Sequence, residues 1–222
     1  MKQNEKVYLL VIAIIVFAMI SLFLATELVD ERMRTFLISE NGPIETASAT
    51  GYLIVLIIML AKGGWGYLKS HIYIFILVAS MGLRELDFDK RFTRMGIFKS
   101  KFYLSPEVPC SEKICGFLVI AVLLWCIYLL LKKHFRSFLA GFLKKVVPMS
   151  AGISVLFIIM SKSIDGLSRK LSSLGINTTH QVSAIAESIE EILELGIPLM
   201  ILVSTIAFFS TDKNNNQLDK GV

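Results

Sequence analysis

Apolar runs about as long as a bilayer is thick constrain this chain more than any other feature. They cover residues 7–26, 43–61, 67–83, 114–131, 146–164 and 185–209, with short connections between them. About twenty helical residues cross a hydrocarbon core of ~30 Å, and only helices or closed barrels satisfy every backbone polar group there. The runs have helix length, not strand length. The expected fold is therefore an all-α integral membrane bundle of six spans, one polytopic domain over 1–222 with a polar tail at 211–222. Composition agrees, with 55% hydrophobic residues and a mean hydropathy of +0.67, far above ordinary soluble domains. The formal net charge of +5 then reports loop topology rather than nucleic-acid binding. The first run is longer than a signal-peptide core, and Thr26-Glu27 offers no small-residue cleavage site, so an uncleaved first span is expected.

The last run begins in acid. Taking about 100° per residue from Glu187 at 0°, Glu190 falls near 300°, Glu191 near 40° and Glu194 near 340°, with His180 near 20°. Four carboxylates thus share one arc of the expected helix. Lipid cannot be their neighbour, because each charge at the centre of a span costs about 2.5–3.5 kcal/mol even on a lenient scale. The stripe must face other helices, water or a bound cation.

Other polar features fall beside it. Asn41-Gly42-Pro43 reads as a helix start with Asn41 as cap and Glu45 in the first turn. Arg84, Glu85 and Asp87 close the third span, and helical continuation to Asp89 would give two charged faces. From Phe88 to Tyr103 aromatic and basic residues interleave, as in an amphipathic segment lying at the membrane interface. The basic stretch at 132–145 is expected to hold a second short interfacial helix. Lys162, Asp165 and Arg169 close the fifth span on one helical face, and a polar loop leads to His180. With six spans, all the charged closures come to one end of the bundle. Lys and Arg are nearly balanced between the two sides. The basic connection after span four then decides that both termini are cytoplasmic, in a bacterial inner membrane.

Two chemistries fit such a constellation. In a membrane-embedded enzyme acting on a lipid or other amphiphile, Glu45, Glu85, Asp87 and Glu187 would hold a divalent cation. Glu191, Glu194, Asp165 and His180 would be catalytic, and Arg84, Lys162 and Arg169 would bind an anionic head group. In an ion- or proton-coupled transporter or channel subunit, Glu191 and Glu194 would carry the ion or proton, with Pro198 freeing a backbone carbonyl beside them. A non-catalytic scaffold locked by ion pairs is the third possibility. Membrane lipids are the expected partners, and no nucleic acid.

Known membrane-enzyme motifs do not fit. Asp165-Gly166 with Arg169 departs from the CDP-alcohol phosphotransferase spacing, and Glu190-Glu191 lacks the arginine and histidines of CAAX-protease-like peptidases. The three histidines of the chain do not share a side, as the zinc site of alkaline-ceramidase-like hydrolases requires. His71 and His134 fall together at the opposite end, as interfacial residues. Cys110 and Cys115 are spaced for a disulfide if their loop lies outside the cytoplasm.

Overall fold

The computed structural model describes residues 3–39 and 42–218, with side chains at 5–39, 42–88 and 90–211. The described secondary structure is helical: α1 (Gln3–Leu28), α2 (Glu31–Ile38), α3 (Pro43–Glu85), α4 (Ser100–Leu104), α5 (Cys110–Gly141), α6 (Val146–Ile164), α7 (Leu167–Ser173) and α8 (His180–Leu218), with a 3-10 turn at Asp89–Arg91. Among the described residues five stretches are long and apolar enough to cross a membrane: Glu5–Leu28, Glu31–Glu85, Cys110–Gly141, Val146–Ile164 and His180–Thr211.

The second of these doubles back. Gly64 adopts φ 64° and ψ −172°, a conformation open essentially to glycine alone, and His71 is also non-helical. A Cβ built on Gly82 would lie 2.9 Å from the Cβ of Tyr52. In an unbroken helix those positions would be about 45 Å apart. α3 is therefore a hairpin of two apolar arms. Its N-terminal residue is Pro43 with Gly42 as cap; Glu40 and Asn41, the expected cap, lie outside the described residues.

α8 is the hub, meeting α6 most extensively, then α3, then α1. Small residues permit this. A Cβ on Gly196 would collide with Met19 of α1 and come within 2.8 Å of Phe157 of α6, and one on Gly51 of α3 would lie 3.0 Å from Pro198. Three helices thus reach the α8 backbone within one turn, as small residues allow in membrane bundles. Buried Ser48, Ser150, Ser154 and Ser188 each donate to the carbonyl four residues earlier, so these hydroxyls cost nothing on burial. α5 stands at the edge against α3 and α6, exposing Phe117, Leu124, Trp125 and Leu139.

Three local expectations are corrected. The basic stretch after residue 131 is no separate helix but the end of α5, because nothing between Leu131 and Gly141 breaks helix. The charged helix after Arg84 does not continue: Leu86 caps α3, and Asp87 takes φ 46°, a left-handed conformation that Asp tolerates better than most residues. Gly166, with φ 61°, likewise separates α6 from α7, and α7 occupies part of the expected polar loop. The segment after α3 is amphipathic. Ile97, Phe102 and Val108 form a small core, Arg94 bonds to Glu107 and Glu112, and Phe92, Phe98 and Leu104 stand exposed.

Candidate functional site

The close approach around Gly196 and Pro198 brings the last turns of α3 and α6 against Glu194. This carboxylate is 7% exposed, and its Oε1 accepts from Arg84 Nη2 at 2.9 Å, Lys162 Nζ at 2.8 Å and Ser161 Oγ at 2.9 Å. Pro198 has no N–H to offer the Glu194 carbonyl one turn earlier, which adds acceptor capacity at the same level. The two cations keep 44% and 37% of their side-chain surface accessible. Water therefore screens their outer sides, and the pairing is worth about 1.5–3 kcal/mol rather than a low-dielectric Coulomb energy. Lys162 also reaches outward, 3.4 Å from Asp165 Oδ2 and 3.7 Å from Glu190 Oε1.

More acid lies alongside. Glu85 is 7% exposed, and Glu45 and Glu191 are half-buried. The charges of Glu45 and Glu194 act on both Glu85 and Glu191. Tyr52, 1% exposed, lies within electrostatic range of Glu85, Glu194 and Arg84. Among the described residues neither Glu85 nor Glu191 forms an ion pair; the contacts of Arg84 and Lys162 go to Glu194 and, for Lys162, also to Asp165 and Glu190.

Of the residues singled out in the sequence, Glu45, Arg84, Glu85, Lys162, Glu191 and Glu194 come together, with Asp165 at the margin. Four do not. Asp87 turns to Lys90. Arg169 is 85% exposed, and its ion pair among the described residues is to Asp165, at 3.9 Å. Glu187 and His180 lie about 10 and 21 Å along α8 from Glu194, in a separate recess with α2. Glu190 of the acidic stripe joins at the margin through Lys162, and Ser161 and Tyr52 belong to the cluster without having been singled out in the sequence. Among the described residues no three His, Cys, Asp or Glu side chains gather closely enough to hold a metal ion.

Set against models of protein families, curated sequences and solved structures, the chain matches none. The chemistry of the site alone carries the functional reading.

At the opposite end, His71 and His134 approach with ring centroids 6.2 Å apart. His71 stacks on Tyr67, and the Tyr73 hydroxyl meets His134 Nε2 at 2.7 Å. Both rings are engaged by aromatic neighbours. Cys110 and Cys115 are free and exposed; five residues apart on α5, they point about 140° away from each other.

Proposed function

We propose that the chain is a six-span membrane protein that carries protons through the Glu45–Glu85–Glu191–Glu194 cluster, as a proton-coupled transporter or channel subunit. The two arms of α3 count as separate crossings, so both termini share a side. The basic end of α5 and the Lys144-Lys145 pair after it make that side cytoplasmic in a bacterial inner membrane.

One observation carries this reading. The cluster's two bases both contact a single oxygen of Glu194, while Glu85 and Glu191 sit beside it without an ion pair. Like-charged carboxylates in poorly hydrated surroundings do not all ionise together; some hold or share a proton. A proton entering among Glu85, Glu191 and Glu45 lowers the local negative charge and weakens the hold on Lys162. Asp165 and Glu190, already within its reach, can then take the ammonium. That exchange between an inner and an outer acceptor gives the cluster two states, as coupled transport requires.

The test is a pH-sensing dye inside tight proteoliposomes under an imposed gradient. Proton movement through the wild type, lost in Glu191→Gln at equal reconstitution, is the expected result. Tight vesicles without movement would remove the proposal.

A second reading, a cation-assisted hydrolase or transferase acting on a lipid or amphiphile, draws on the accessibility of Arg84 and Lys162, which suits an anionic head group. Turnover of a phospholipid or lipid amide that depends on a divalent cation and disappears in Arg84→Gln would favour it over proton transport.

A further inference from the structure

The recess that takes His180 and Glu187 away from the cluster is a site of its own. It is a groove of about 320 Å³ between α2 and the first turns of α8, lined by Glu31, Arg34, Ser39, His180, Ser183 and Glu187 among others. That volume lies at the lower end for small-ligand sites.

Its cation is under-used. The Arg34 side chain is only 16% exposed, yet its one side-chain contact among the described residues is Nη1 to Glu27 Oε2 at 3.5 Å. Charge-assisted bonds of this type run to about 2.7–2.9 Å, and a guanidinium has five N–H groups to place. The Glu27 contact does not satisfy it, and the other oxygen of Glu27 is buried without a hydrogen-bond partner among the described residues. A largely buried guanidinium with spare donors in a groove wall suits the oxygens of a phosphate.

The acids of the groove come from opposite walls, Glu31 from α2 and Glu187 from α8, and His180 Nδ1 lies 3.7 Å from Glu31 Oε1. Two carboxylates against one arginine would repel a purely anionic ligand. They suit a ligand with a primary ammonium a few bonds from its phosphate, because each carboxylate is an acceptor needing N–H donors. Met33 and Phe36 of α2 and Val182 and Ile185 of α8 are exposed; at about 100° per residue they stand on the helix faces turned away from the groove lining, free to rest on the membrane interface beside it.

We propose that the α2–α8 groove binds an aminophospholipid headgroup, its phosphate on Arg34 and its ammonium between Glu31 and Glu187. The proposal rests on the membrane placement above and on no residue of the Glu194 cluster. Native mass spectrometry of the full chain from mild detergent, with phosphatidylethanolamine, phosphatidylcholine or phosphatidylglycerol added at equal concentration, tests it. Wild type should retain the ethanolamine lipid about tenfold better than the other two. Arg34→Gln should lose that retention, and Arg34→Lys should recover part of it. The double variant Glu31→Gln/Glu187→Gln should lose the preference over phosphatidylglycerol. Glu191→Gln should bind like wild type, so a failed proton pathway leaves this result intact. Soluble glycerophosphoethanolamine that binds with the same Arg34 dependence would show that the headgroup suffices, and binding of the lipid alone would show that its acyl chains contribute to retention. Equal retention of all three lipids by wild type, or unchanged retention by Arg34→Gln in a folded protein, would overturn the proposal.

Discussion

Glu194 shows how one side chain organises the charged end. Its Oε1 is the common acceptor for two helices, so Glu194→Ala should cost about 1.5–3 kcal/mol. Glu191→Gln removes a like charge and no ion pair, and should leave stability within about 0.5 kcal/mol of wild type or raise it. Thermal unfolding in one detergent separates the two; equal losses would contradict the assignment. Arg84, Glu85, Lys162, Glu191 and Glu194 were legible in the sequence because ionisable residues at the ends of apolar runs must find one another. Ser161 and Tyr52 were not, because a neutral residue in a span carries no comparable penalty to advertise it. Glu187 and His180 misled for a geometric reason. A helical wheel fixes their angle beside Glu194 but not the roughly two and four turns that separate Glu187 and His180 from it.

At the scale of the helix, glycine and proline decide what meets what. Gly196→Val would drive two methyl groups into Met19 and Phe157, an overpacking that should cost about 1–3 kcal/mol and loosen α1 and α6 from α8. A melting point equal to wild type would mean that this joint is not close-packed. Cys110 and Cys115 give a second check. On consecutive turns of α5 they should each accept one maleimide after mild oxidation, without the loss of two hydrogens that a disulfide brings. The long apolar helices were readable from hydropathy, and the α3 reversal from the short connection between the apolar runs 43–61 and 67–83. Endings were harder. Helix-forming residues carried α5 through its basic stretch to Gly141, whereas Asp87 and Gly166, with φ 46° and 61°, stopped helices whose charge spacing alone would have continued them.

Over the whole molecule, the polar ends of α3, α6 and α8 gather at one end and the aromatic pair His71–His134 sits at the other. If α3 crosses twice, a cysteine at Gly64 and the native Cys110 should react with a membrane-impermeant reagent from opposite faces, in a background where the other cysteines are serine. Labelling from one face would remove one crossing. Infrared spectroscopy tests the central claim, that the cluster holds more acid than its bases can neutralise and so stores a proton, most directly. At neutral pH the wild type should show the C=O stretch of a protonated carboxylic acid, diminished in Glu191→Gln or Glu85→Gln and shifted in D₂O. A spectrum with only carboxylate bands, unchanged in both variants, would contradict it.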